Sequence, residues 1–300
     1  MIKTFVSNLL VFATLGLAAT ASHADTVNIK GADGLTLNAN IELADGKTMA
    51  DGLVLLTHGT LAHNKMEVIA NLQKLLAERG VSSLAPNLSL GVDNRTGMYD
   101  CAVPSTHKHT DALDEIGLWL DYVKSQGATD VVLAGHSRGG NQTAWFVARE
   151  NPKVVSKVVL LAPATRYADK EAKSFEQRHG KPLAASFQKA QALVDAGNGA
   201  QLMKGEGVLY CPGADVSAES FVSYYNNDMR QHTPNLVPML GRPVLVIVGS
   251  EDKVVSGLIE EVKPLANGDD IQLLVLDGGD HFFLDFFVED AADAIAKILE

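Results

Sequence analysis

The sequence predicts an α/β fold in which a mostly parallel sheet carries helices on both faces. Two observations predict it. Short, fully apolar, β-branched runs alternate with amphipathic helical segments over most of the chain, and the pentapeptide Gly135-His136-Ser137-Arg138-Gly139 joins one such run to one such helix. Strands buried on both faces read as continuous apolar stretches, and parallel strands need crossovers, which helices supply.

Each element follows from local pattern. Val27 to Lys30 and Leu35 to Glu42 alternate around Gly31-Ala32-Asp33-Gly34, which predicts an antiparallel hairpin. Gly52 to Thr57 is a buried strand. Glu67 to Arg79 is helical, with Val68, Ile69, Leu72, Leu75 and Leu76 on one face and Gly80 as its stop; the strand Val81 to Ala85 follows and Pro86 ends it. Thr110 to Gln126 forms the next helix, burying Leu113, Ile116, Leu118, Leu120 and Val123. Asp130 to Ala134 is the strand before the pentapeptide, Asn141 to Ala148 the helix after it, and Val154 to Leu161 a further strand. Between Pro163 and Pro238 the alternation stops. Glu171 to Arg178, Leu183 to Ala196 and Ala218 to Asn226 read as helices there, and Val208 to Tyr210 as a short extended piece. We read 164–237 as a helical cap inserted over the carboxyl edge of the sheet, between core segments 25–163 and 238–300. The rhythm resumes with the strand Val244 to Val248, a helix near Leu258 to Leu265, the strand Ile271 to Leu276 and a terminal helix from Phe286 to Leu299.

The 300 residues are 46% hydrophobic and 20% charged, as in a soluble globular protein with a sizeable core. Met1-Ile2-Lys3, the apolar stretch Phe5 to Ala19 and Ser22-His23-Ala24 read as a secretory signal peptide over 1–24, cleaved after Ala24, with Ala21 the second choice. The apolar run is shorter than the ~20 residues that span a bilayer, so no stable membrane insertion is expected after cleavage. The expected location is periplasmic or secreted. Loss of Lys3 would make the formal charge of −11 one unit more negative. Such a surface repels nucleic acid, and no basic and aromatic cluster argues otherwise, so no nucleic-acid partner is expected. Composition says nothing of oligomeric state. Cys101 and Cys211 are the only cysteines, and an oxidising compartment would let them form a disulfide if their Cα atoms come within ~7 Å.

A serine at the apex of a strand-turn-helix is held in a strained backbone conformation, and flanking glycines remove Cβ atoms that would collide with the neighbouring strand and helix. Ser137 is therefore the candidate nucleophile. It needs a base, and the base needs an acid to hold its tautomer. Asp252 lies in the loop after the strand Val244 to Val248, and His281 in the loop after Ile271 to Leu276. A lone serine in a turn, aspartate in a loop or histidine beside phenylalanines has an ordinary structural explanation; all three in order, each after its own strand, point to a catalytic triad. Glu251 and Asp280 are rivals for the acid, and Asp280 is disfavoured because it is bonded next to the histidine. The loop His58-Gly59-Thr60-Leu61 follows a strand directly, so the amides of Thr60 and Arg138 are the candidate oxyanion hole. His58, Leu61, His107 and Phe282 are candidates for substrate contacts, with a buttressing role the stronger reading for His58.

These residues resemble the α/β-hydrolase superfamily from about Leu53 to the C-terminus. The His-Gly loop, the Gly-His-Ser-x-Gly elbow, the Gly-Ser-x-Asp turn and the Gly-Asp-His turn are similar to those of the serine-hydrolase branch related to monoglyceride lipases and serine aminopeptidase-like hydrolases. The resemblance implies an α/β-hydrolase fold with an eight-stranded, mostly parallel sheet, an acyl-enzyme mechanism and no cofactor. The expectation is an exported serine hydrolase acting on a carboxylic ester, its partner a small-molecule acyl substrate admitted beneath the cap. A peptidase, amidase or thioesterase of the same fold is the enzymatic alternative, and a catalytically inactive binding protein the non-enzymatic one. Dehalogenases and epoxide hydrolases are disfavoured, because their relatives carry aspartate where this chain has Ser137. Met98 to His109 falls outside the superfamily pattern. Cys101 with His107 and His109 has the composition of a metal site, but a full zinc site wants three or four ligands in fixed geometry, so we read a loop near the cap.

Overall fold

The computed structural model of the protein describes residues 24–299. The signal peptide expected over 1–24 lies, but for Ala24, outside the described residues. Strands β1 (Ala24–Lys30) and β2 (Thr36–Glu42) form the antiparallel hairpin. Then follow β3 (Leu53–Thr57), α1 (Glu67–Glu78), β4 (Ser83–Asn87), α2 (Asp111–Ser125), β5 (Val131–His136), α3 (Arg138–Glu150) and β6 (Val155–Leu161). A different region intervenes, with α4 (Ala168–His179), α5 (Leu183–Asp195), β7 (Leu202–Met203), β8 (Val216–Ser217) and α6 (Ala218–Tyr225). The chain closes with β9 (Val244–Gly249), α7 (Leu258–Val262), β10 (Ile271–Leu276) and α8 (Phe287–Leu299).

The main sheet runs β1-β2-β4-β3-β5-β6-β9-β10, parallel except for the two pairs made by β2. Every residue of β3, β5 and β9 is buried, which is why these strands read as unbroken apolar runs. Strand β4 lies two residues later than its hydrophobic run suggests and contains Pro86. Only Ser83 and Leu84 pair with β3, so the missing amide of Pro86 falls beyond that ladder, where it is tolerated. On α2, Leu118 is half-buried while Trp119 takes a fully buried place.

Strand order reverses at β3. The chain goes from β3 to β4 on one side, then returns across β3 to β5 on the other. At such a switch point the two outgoing loops diverge and leave a crevice at the carboxyl ends of the strands, where open α/β sheets bind ligands. The register pairs Thr57 with Gly135, so the loop beginning at His58 emerges beside Ser137.

The region between β6 and β9 has its own hydrophobic cluster, built on Phe175, Phe221, Tyr224 and Tyr225 and joined by Leu61 and Tyr99 from the loops after β3 and β4. Its last turns rejoin the main core through Leu236, Val237 and Leu240. The segment after β4 is tied to it. Ser105 donates its amide to Asp215 and accepts from the amide of Ser217, and a disulfide joins Cys101 to Cys211 with Cα atoms 5.2 Å apart. Val208 to Tyr210 is not extended. Val208 and Cys211 exchange backbone hydrogen bonds, closing a tight turn with Leu209 at φ +52° that projects Tyr210 outward. The reciprocal backbone bonds of Val208 and Cys211 override the strand propensity of these three residues. No helix among the described residues is long and apolar enough to cross a membrane.

Candidate active site

Ser137 sits between β5 and α3 at φ +56° and ψ −123°, a conformation costly for a residue with a side chain. The elbow is forced by close approach. A Cβ on Gly139 would meet the carbonyl oxygens of His58 and of Thr57, the latter at 2.6 Å, and a Cβ on Gly135 would lie 2.5 Å from the carbonyl oxygen of Gly139. Only glycine lets helix and strands pack this tightly, and the packing turns the serine hydroxyl outward.

The loops after β9 and β10 are equally compressed. A Cβ on Gly249 would collide with the backbone of Gly279, and the Glu251 amide donates to the Gly279 carbonyl at 2.9 Å. This contact brings Asp252 to His281. Asp252 Oδ2 lies 2.7 Å from His281 Nδ1, and His281 Nε2 lies 3.0 Å from Ser137 Oγ. The Asp252 and His281 side chains are 2% and 6% exposed. Burial alone would raise the Asp252 carboxyl, but its hydrogen bond and charge attraction to His281, with the amides of Val255 and Val254 on Oδ1, hold it below the usual carboxylate range. The ionised carboxylate fixes the proton on Nδ1 and leaves Nε2 free to accept from the serine. The rivals are elsewhere: Asp280 caps the amide of Phe282, and Glu251 is exposed.

Thr60 and Arg138 line the crevice at Ser137, and among the described residues neither backbone amide has an acceptor in the protein. Arg138 Nε donates to Thr60 Oγ1 at 3.0 Å, clamping the two residues together. Gly59 presses on Ser137: a Cβ there would come within 3.1 Å of the serine Cβ.

A model described as the alpha/beta hydrolase family matches residues 53–298. The chain belongs to the α/β-hydrolase family. No curated protein matches the sequence. Among solved structures, this α/β hydrolase is similar to Est1E from Butyrivibrio proteoclasticus, at 19% identity and a TM-score of 0.63 over 91% of this chain and 97% of that one. It is also similar to a monoacylglycerol lipase from Paleococcus ferrophilus, at 18% identity and a TM-score of 0.57 over 88% and 98%. An alpha-beta serine hydrolase homologue from Coxiella burnetii matches at 17% identity and a TM-score of 0.53 over 92% and 97%. At these identities the likeness is one of fold.

Two cavities of the α/β hydrolase flank Ser137. One, of about 300 Å³, is mostly apolar and is lined by Leu61, Met66, Met98, Tyr99 and Phe282. The other, of about 200 Å³, is as polar as it is apolar, the more polar of the two, and reaches α4. Leu61 and Phe282 are therefore placed to touch a substrate. His58 and His107, expected as further contacts, are not: both are buried and line neither cavity. His58 Nδ1 donates to the Gly59 carbonyl while Nε2 accepts from the Leu88 amide and faces Arg95, which fixes a neutral ring beneath the oxyanion loop. Burial, with Arg95 beside it, lowers its pKa to about 3. His107 is held by Tyr224 and Ser105, and His109 lies between Asn141 Oδ1 and the Arg138 guanidinium; both are lowered to about 3, chiefly by burial. With Cys101 bonded to Cys211, this segment is a strut between α3 and α6.

Two residues carry weight that sequence reasoning did not assign. His136 donates Nε2–H to the backbone carbonyl of His281 at 2.8 Å, fixing the base from behind. Its place inside the elbow pentapeptide was the available signal. Arg95 binds the carbonyls of Leu88, Gly97 and Ala62 and the side chain of Asn87, knitting the loops after β3 and β4 together. It stands in an undistinguished loop, and no signal marks it.

Proposed function

We propose that this α/β hydrolase is an exported serine hydrolase that cleaves a carboxylic ester through an acyl-enzyme intermediate. The observation that carries the reading is the unbroken line from Asp252 through His281 to Ser137, with distances of 2.7 and 3.0 Å. His281 Nε2 takes the serine proton as Oγ attacks the ester carbonyl. The amides of Thr60 and Arg138 receive the developing oxyanion, and His281 returns the proton to the leaving alcohol. Water then repeats the sequence on the acyl-serine and releases the acid. Asp252 stays ionised throughout and stabilises the imidazolium.

Support for an ester comes from the fold neighbours, which include a monoacylglycerol lipase, and from the apolar cavity beside Ser137. The leader-like start and the Cys101–Cys211 bond support export. A panel of nitrophenyl esters, thioesters and aminoacyl anilides tests the class. Burst release of nitrophenol followed by steady turnover of esters is the expected result. Faster turnover of anilides or thioesters reassigns the substrate, and no turnover of any member by folded protein removes the enzymatic reading.

A further inference from the structure

The polar cavity beside Ser137 is positively charged in a chain whose formal charge is −11. Its lining carries Arg138, Arg166, Lys170 and Arg178 against a single carboxylate, Glu171. Arg166 accounts for that carboxylate, pairing with it at 2.5 Å. Among the described residues, no carboxylate lies within salt-bridge distance of the other three. Arg138 is held by neutral partners only, Thr60 Oγ1 and His109 Nδ1. Arg178 donates to the Leu209 carbonyl and Ser174 Oγ and stacks on the Tyr210 ring at 4.6 Å, and Lys170 donates to Ser256 Oγ. Arg138's charge also reaches its surroundings, adding to the burial that lowers His109 to about 3.

Cations with no carboxylate at salt-bridge distance attract an anion, and guanidinium forks suit a carboxylate. The serine lies at the junction of this cavity and the apolar one, and Tyr210 lines both. We propose that the polar cavity binds a carboxylate carried by the substrate, through Arg178 and Lys170 in the field of Arg138, so that the enzyme takes acyl compounds apolar on one side of the scissile bond and anionic on the other. The proposal rests on the hydrolase reading for its substrate, but the site binds an anion whether or not Ser137 reacts.

The test measures binding to the Ser137→Ala protein, which does not consume the ligand. Monomethyl succinate is expected to bind at least about tenfold more tightly than methyl succinamate, its neutral isostere, at low ionic strength. The preference should shrink on adding salt. Arg178→Met and, independently, the exposed Lys170→Gln should each reduce it, so the test survives if loss of Arg178 disturbs the Leu209 turn. Equal affinities, no measurable binding of either ligand, or a preference unchanged in both variants overturns the proposal. Labelling of wild-type Ser137 by a fluorophosphonate separates the two readings. A labelled protein without the preference loses the anion site alone, and an unlabelled protein that keeps it loses the hydrolase reading alone.

Discussion

The two sides of Ser137 are built differently. On the sheet side the serine, histidine and aspartate are placed by backbone pressed on backbone, at Gly135, Gly139 and Gly249, where any side chain would collide. On the inserted side the groups that face the cavities are placed by long side chains, a disulfide and a turn at Leu209. The first construction leaves no room for a side chain at these glycines and so leaves a local motif. The second ties together residues distant in sequence and can vary with little cost to the fold. With Ser137 as the proposed nucleophile, we assign chemistry to the rigid half and substrate choice to the adaptable one.

Removing the nucleophile should give the largest effect. Ser137→Ala is expected to keep the fold and lower turnover by at least ~1000-fold, since oxyanion donors and binding leave only residual acceleration. Retained ester turnover would refute the rigid half of the comparison.

Acid should unfold the protein through its buried histidines. His58, His107 and His109 are lowered to about 3 and His136 to about 4, chiefly by burial, so at pH 5 the unfolded chain binds protons that the folded one refuses. Folded values below the unfolded value of 6.5 mean that this stability is complete above pH 6.5 and is lost as pH falls toward 4 and 3. Glu115, raised to about 7 mainly by burial, works in the opposite sense between 4.5 and 7, and Asp111 and Glu171 are raised by burial as well, but the four histidines, joined by the lowered His63 and His179, outnumber them. Denaturant titrations at pH 7 and pH 5 should show lower stability at pH 5 and net proton uptake on unfolding. A flat or rising profile would show that these histidines are not buried neutral.

Breaking the Cys101–Cys211 bond probes the adaptable half. The cysteines are 110 residues apart, and the bond is worth up to ~5 kcal/mol in the chain-entropy model. Cys101→Ser with Cys211→Ser should lower the melting temperature and expose the region between β6 and β9 to protease before the sheet. Equal sensitivity of both regions would erase the distinction drawn between them.

The smallest effect falls on positioning. His136→Leu leaves the His281 carbonyl without its donor, and kcat should fall about tenfold with KM little changed, the cost of one buried hydrogen bond at the base. A rise in KM at constant kcat would place His136 in binding instead.

Legibility in the sequence followed the same division. The succession of strands and helices along the chain, the elbow and the loops after β9 and β10 were readable because each demands particular residues at fixed spacing. Asp252 was separable from Asp280 because a side chain adjacent to the histidine cannot reach round to Nδ1. What could not be read depended on contacts across the insertion. His107 was expected near the substrate, yet Tyr224, 117 residues away, holds it in the interior. Val208 to Tyr210 has strand-forming residues, yet the turn closed at Cys211 bends it. The cationic lining draws on α3, α4 and the loop between β6 and α4, and no single stretch of sequence displays it.

The central claim, that His281 and Asp252 activate Ser137, is tested most directly by treating the folded protein with a fluorophosphonate and mapping the adduct by peptide mass. A single adduct on Ser137, absent after denaturation and lost in His281→Ala, is the expected result. Folded protein that stays unmodified, or that is modified at a different residue, would contradict it.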